Sequence, residues 1–258
     1  MKKLLFSFCA VLVILGCGGN IGDLPCWSCE EYSSSSSFSF VSCTVSGVSS
    51  DSAMTCSGQT YGIVKIGNQT WMAENLNYDP GTGNSACYNN QPDNCVAYGR
   101  LYDWSTAMGP DSSTYNDSAK HQGICPSGWH IPNNAEWDEL FLYVDNENNG
   151  SGSSSSGSPY SSYTAGRYLK ATSGWNSDSS GTDQYGFSAL PGGYANPDGT
   201  FKGIGEFGDW WSTSEYDSGV ASYSYAYYFY MSIDRSVRWY YNYKSAMFFV
   251  RCLRDREN

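Results

Sequence analysis

Apolar and polar positions follow strand-like and helix-like periods in turn along this chain, and the first clear pattern begins near residue 60. Tyr61-Gly62-Ile63-Val64-Lys65-Ile66, then Gly67-Asn68, then Gln69-Thr70-Trp71-Met72 predicts two short strands around a Gly-Asn turn. A helix is predicted further on. Asn133 can cap it, Glu136 three residues later completes a capping box, and Trp137, Leu140, Phe141 and Val144 fall at i, i+3, i+4 and i+7. That pattern makes an amphipathic helix of about three turns. Leu101 to Met108 predicts a second, short helix, with Leu101, Trp104, Ser105 and Met108 on one face. The C-terminal third reads as strands over Tyr223 to Ile233, Val237 to Tyr243 and Ala246 to Leu253, with a turn near Asp234-Arg235, in an antiparallel meander. The serine and glycine run Ser151 to Ser158, followed by Pro159, predicts an exposed loop inside the domain. Aromatic residues recur from Tyr61 onward without an internal repeat, which assigns residues 60–258 to a single domain.

The N-terminal pattern is different. Met1-Lys2-Lys3 is a cationic head and Leu4 to Leu15 an apolar run of about twelve residues, too short for the roughly 20 of a spanning helix. Residues 1–16 therefore read as a secretory signal. The run ends in Ile14-Leu15-Gly16-Cys17, which resembles the bacterial lipobox; that resemblance implies lipidation of Cys17 and anchorage to the outer membrane through acyl chains. Residues 17–59 are poor in aliphatic residues, with Ser33 to Ser37 an unbroken run, and they predict a flexible stalk.

Composition narrows the functional classes. The 258 residues carry 14 basic and 25 acidic side chains, a formal charge of -11, and removal of the signal with Lys2 and Lys3 leaves the chain more acidic still. Such a chain is not built for nucleic acid, and it has no basic stripe for anionic lipid. Of ten cysteines, Cys9 leaves with the signal and Cys17 goes to lipid. The even remainder, Cys26, Cys29, Cys43, Cys56, Cys87, Cys95, Cys125 and Cys252, is expected to form disulfides in an oxidising compartment. The pairing of Cys26, Cys29, Cys43 and Cys56 is left open by the sequence. Zinc is disfavoured, because Cys26 and Cys29 lack a matching second pair and the chain has only His121 and His130 to add.

Six linked motifs carry a family resemblance: Val64 to Leu76, Tyr98 to Trp104, Cys125-Pro126-Ser127-Gly128-Trp129-His130-Ile131-Pro132, Glu136-Trp137, Trp210 to Glu215 and Val250 to Asp255. Together they resemble the Fibrobacter succinogenes major paralogous domain, whose members are mostly exported lipoproteins behind serine-rich stalks. The resemblance implies no particular activity. In outline the chain also resembles the C-type lectin-like fold, an α+β arrangement of two helices with short antiparallel sheets and a disulfide brace. That resemblance implies a bridge between Cys125 and Cys252, with Cys87 and Cys95 closing a small local loop.

Several constellations invite chemical readings. Pro132 to Asp138 and Phe249 to Cys252 are similar to motifs of formylglycine-generating enzymes, which need a reactive cysteine pair just before the last strand; Arg238 to Ala246 contains no cysteine. No catalytic residue is assigned. Nor does the chain call for a cofactor, and the patterns that come nearest are for calcium. Gln91-Pro92-Asp93 is similar to a lectin calcium triplet but precedes both helices, and Asn196-Pro197-Asp198 lies nearer the expected place. Asp145 to Gly150 begins like a calcium loop yet lacks its third and closing ligands. Glu136, Asp138 and Glu139 occupy a first helical turn, where acids favour the helix dipole, and His121 and His130 read as structural. Aromatic display is the strongest positive feature: Tyr223, Tyr225, Tyr227 and Phe229 alternate onto one strand face, and Trp239, Tyr241 and Tyr243 do so on the next. Trp210, Trp211, Tyr225, Tyr227, Trp239 and Tyr241 are accordingly the expected ligand contacts, since tyrosine and tryptophan offer large area, little rotamer entropy and a polar handle. The expectation is a non-catalytic surface lipoprotein that binds glycans or proteins, with a secreted enzyme, a polysaccharide hydrolase or one like the formylglycine-generating enzymes, and a purely structural envelope protein as rivals.

Overall fold

A computed structural model describes residues 43–45, 53–81, 83–109, 120–154, 158–216 and 225–256. The signal segment, Cys17, most of the expected stalk, and Tyr223 lie outside the described residues. In chain order come the strands β1 (Cys43–Val45), β2 (Ala53–Cys56), β3 (Gln59–Ile66), β4 (Gln69–Met72) and β5 (Ser85–Ala86), then helix α1 (Pro92–Tyr98). Next are β6 (Leu101–Asp103), α2 (Trp104–Met108), β7 (Trp129–His130), α3 (Asn134–Glu147), β8 (Gly152–Ser153), β9 (Ser161–Ser162) and α4 (Ala165–Leu169). The C-terminal part holds β10 (Gly192–Ala195), β11 (Phe201–Ile204), β12 (Gly208–Glu215), β13 (Tyr225–Met231), β14 (Val237–Tyr243), β15 (Met247–Phe249) and β16 (Leu253–Arg254).

These strands make two sheets, one in the order β1-β2-β3-β4-β16-β7 and a larger one in the order β5-β6-β15-β10-β12-β13-β14-β9-β8, with β11 paired to β10. The architecture is mixed α+β. Its small sheet grows from tight hairpins. Ser57 and Gly58, both at positive φ, turn β2 into β3, and Gly67, at φ +60, turns β3 into β4 with Ile66 opposite Gln69. The expected Gly-Asn hairpin is therefore present. Residues 53–59, expected as the end of the stalk, are instead β2 and the start of β3, and Met54 and Cys56 are buried in the core.

Helix α3 forms as its pattern predicts. The Asn133 carboxamide accepts from the Glu136 N–H at 2.9 Å, the Glu136 carboxylate accepts from the Asn133 N–H at 3.0 Å, and Trp137, Leu140, Phe141 and Val144 are all buried. The expected Leu101–Met108 helix divides at Asp103, whose side chain caps α2 by accepting from the Thr106 N–H at 2.7 Å; the residues before it pair with β15. Two helices beyond the expected pair occur, α1 and α4.

The C-terminal meander requires correction. β13 and β14 do pair antiparallel, Tyr227 opposite Tyr241 and Met231 opposite Val237, but β15 leaves β14 and inserts between β6 and β10, running parallel to β12. The reason is burial on both faces: Phe248, Phe249 and Val250 are all buried, which suits a central strand and not an edge. β10 also runs parallel to β12, so the larger sheet is mixed and not antiparallel throughout.

Two disulfides brace the described residues. Cys125–Cys252 joins positions 127 apart with Cα atoms 5.9 Å apart, and Cys87–Cys95 joins positions 8 apart. Both pairings match the expectation, although Cys252 sits between β15 and β16 and not inside a strand. Cys56 is also disulfide-bonded. Disulfides of this kind belong to oxidising, extracytoplasmic compartments. Among the described residues no helix is long and apolar enough to cross a membrane.

Candidate functional site

The motifs that carry the family resemblance converge first on a buried hub. Arg251, fully buried, donates from Nε and Nη2 to Asn75 Oδ1 at 3.0 and 2.7 Å and from Nη1 to the carbonyls of Met72, Ala73 and Phe187, with its guanidinium over the Phe187 ring. Trp210 Nε1 donates to the same Asn75 oxygen at 2.7 Å. Burial draws the Arg251 pKa down to about 9, which leaves it charged at neutral pH. A second lock sits at the chain's end. His130 lies between Glu136 Oε1 at 2.9 Å and Asp255 Oδ1 at 2.6 Å, joining β7, the first turn of α3 and the segment after β16. Burial alone would raise the Glu136 pKa, but the His130 hydrogen bond and charge and the Asn133 N–H outweigh it and hold it below the ordinary value. Both arrangements fasten elements together.

The expected ligand contacts separate into two sets. Trp210 and Trp211 are 0% exposed, and their indole N–H groups donate to Asn75 Oδ1 and to the Tyr102 carbonyl at 2.8 Å. Neither is a ligand contact, because β12 is flanked by β10, β13 and β15 and both indoles are fully buried with their N–H groups satisfied. Tyr225, Tyr227, Trp239 and Tyr241 do come together. Strand register places Tyr227 beside Tyr241, and Trp239 meets the Tyr227 ring at 5.6 Å, while Tyr241 stacks on Tyr216 at 3.7 Å. These rings are half-buried against one another and form a strip.

Residues singled out for calcium serve other ends. Asp145 accepts hydroxyls from Tyr160, Ser162 and Thr164 at 2.9, 2.9 and 2.6 Å and so ties α3 to β9 and the start of α4. Gln91 and Pro92 start helix α1, with proline in its first turn, where a missing N–H is harmless. Asp198 accepts from the Thr200 N–H and hydroxyl at 2.9 and 2.6 Å, which closes the turn between β10 and β11. Among the described residues no group of three or more His, Cys, Asp or Glu is placed to hold a metal ion.

The feature that sequence reading missed lies on the opposite face of β12–β14. A cleft of about 350 Å³ opens there, with Asp209 at its base and Asn196 and Asn242 among its walls. Five rings surround the carboxyl in a closed circuit: Tyr194 to Phe207 at 6.4 Å, Phe207 to Tyr230 at 6.5 Å, Tyr230 to Tyr228 at 5.9 Å, Tyr228 to Phe248 at 4.4 Å and Phe248 back to Tyr194 at 6.0 Å. Tyr240, 54% exposed, stands at the rim. Strand geometry makes this circle, because Asp209 faces Tyr230 and Trp211 faces Tyr228 across β12 and β13, and Tyr240 faces Tyr228 from β14. Asp209 Oδ2 is buried without a hydrogen-bond partner, and burial pushes the carboxyl well above the usual carboxylate range. Burial and then the nearby Asp209 charge raise Tyr194 and Tyr228 as well, so both phenols stay neutral. One signal was present in the sequence: Asp209 is an acid directly beside the tryptophans of an otherwise apolar strand.

No curated protein and no solved structure matches the chain. The family model described as the Fibrobacter succinogenes major domain (Fib_succ_major) matches residues 64–254, which spans the hub, the long disulfide, the cleft and all of the His130 lock except Asp255, and the chain belongs to that family.

Proposed function

We propose that this domain is a non-catalytic binding module on the outside of the cell, and that its ligand enters the aromatic cleft over Asp209. One observation carries the reading: a closed aromatic circuit around a buried carboxyl whose Oδ2 has no partner among the described residues. Native structures seldom leave such a group unmatched, and an apolar concavity with few convergent polar groups is the usual form of a small-ligand site. The lining includes one carboxylate and no histidine, cysteine or serine, which favours holding a ligand over turning it over. Thermal shift of the full-length protein against a panel of glycans, amines and peptides tests this. The expected hit raises Tm, and Tyr240→Ala at the rim abolishes the shift. Hits indifferent to that substitution, or chemical conversion of a ligand, overturn the reading.

The placement of the module is proposed with it. A signal over residues 1–16 and a lipid on Cys17 would anchor the chain to the outer membrane and display the domain at the cell surface; Cys17→Ser should abolish metabolic labelling with a fatty acid. The C-type lectin-like arrangement is proposed from the order α2, Cys125, α3, central β12 and Cys252, with the long disulfide closing the frame.

A further inference from the structure

The circle of rings around Asp209 has a chemistry more specific than apolar shape. Each aromatic face carries partial negative charge, so a ring of such faces attracts cations, most strongly where water is excluded. At the base sits a carboxyl that accepts nothing at Oδ2, and the cleft lining holds no lysine, arginine or histidine to serve as its counter-ion. Neutral sugars match this arrangement less well. The Asn196 carboxamide already donates to Thr200 Oγ1 at 2.9 Å, which leaves Asn242 and the tyrosine hydroxyls as the neutral polar groups of the lining, beside a carboxyl without a counter-ion. A cleft of about 350 Å³ is also near the lower end of ligand sites, the size of one headgroup and not of an oligosaccharide. The net charge of -11 steers cations toward the molecule at long range.

We infer that the cleft holds an organic ammonium ion, a primary or methylated amine, with its charge against the Asp209 carboxylate and its alkyl surface against Tyr194, Phe207, Tyr228, Tyr230 and Phe248. The inference rests on the reading of this cleft as the ligand site. A free small amine and a lysine side chain of a protein share the chemistry. Burial favours the protonated carboxyl and an arriving cation favours the ionised one, so binding is coupled to proton release. The titratable groups facing it are Tyr194 from β10, Tyr228 and Tyr230 from β13 and Tyr240 from β14, so Asp209 is the group whose ionisation is coupled to binding.

Isothermal titration of the full-length protein with choline and with 3,3-dimethylbutanol, its uncharged isostere, decides the matter. Choline is expected to bind at least about tenfold more tightly near pH 8, with a buffer-dependent heat from the released proton and a preference that shrinks as pH falls. Asp209→Asn should remove the preference while leaving the isostere's affinity within about twofold. Should that variant fail to fold, the wild-type comparison still stands: equal affinities overturn the inference. A peptide carrying trimethyl-lysine separates the sources, tighter binding than choline indicating a protein ligand and equal binding a free amine. If a neutral glycan occupies the cleft and choline does not, the ammonium inference falls and the binding module survives. If no ligand of any class responds to Tyr240→Ala, both fall.

Discussion

Arg251 shows how much a single side chain carries here, because its guanidinium reaches Asn75 and three backbone carbonyls from a fully buried position. Replacing it with methionine removes all of these hydrogen bonds and leaves Asn75 Oδ1 with Trp210 as its donor, and a loss of about 3 to 5 kcal/mol is expected, read as a fall in the urea midpoint. Asp138 makes the opposite case. Burial pushes its carboxyl up to about 6 despite the Tyr160 N–H that it accepts at 2.7 Å. A raised acid stabilises the fold fully below its unfolded value of about 4, and that contribution disappears as pH rises through about 6. Asp138→Asn should therefore flatten the stability profile between those values and leave the variant more stable at neutral pH by about 1 kcal/mol, the partial exposure of the group being allowed for. Only part of this scale was legible in sequence. Asn133 and Glu136 announced their capping box because the partners are three residues apart, whereas Asn75 and Arg251 lie 176 residues apart and nothing local joins them.

At the scale of elements, what could be read was whatever one periodicity determines alone. α3 and the β3–β4 hairpin are of that kind, and Gly67 gives the hairpin a sharp test. Its φ of +60 and the Tyr143 ring, 2.8 Å from an added Cβ, both oppose a side chain, so Gly67→Ala should cost about 1 to 3 kcal/mol and lower Tm without altering the helix. Alternation in β13 and β14 was also visible, but it could not say which face is core. Both faces are aromatic: Tyr225, Tyr227 and Phe229 on one, Tyr228 and Tyr230 on the other. The expected ligand contacts Tyr225, Tyr227, Trp239 and Tyr241 belong to the first face. Helix packing distinguishes the two faces, since α3 covers the Phe229 end of the first through Trp137 and Phe141 and leaves the second open beside Asp209. β15 was misread for a related reason. A run of apolar residues after a hairpin looks like its third strand, and only pairing across the sheet shows that it belongs between β6 and β10.

For the molecule as a whole, the long disulfide decides how securely those distant elements stay together. Cys125 precedes β7 and α3, and Cys252 joins β15 to β16, so the bond holds the two sheets at the point where the chain passes from one to the other. A loop spanning 127 positions removes more freedom from the unfolded chain than one spanning 8: about 5 against about 2.5 kcal/mol in the chain-entropy model. Cys125→Ala with Cys252→Ala should thus destabilise the protein by about 2.5 kcal/mol more than Cys87→Ala with Cys95→Ala, as urea unfolding would measure. Both cysteines of the long bond are buried, and the cavities left by their sulfurs widen the gap further. The cleft offers an independent readout of the same bond. Its walls come from β10, β12, β13, β14 and β15, and β15 is the strand that leads directly into Cys252. Loss of the long disulfide should therefore loosen Phe248 and weaken ligand binding, whereas loss of the short one, which closes a loop around α1 and lines no part of the cleft, should leave affinity unchanged while stability falls.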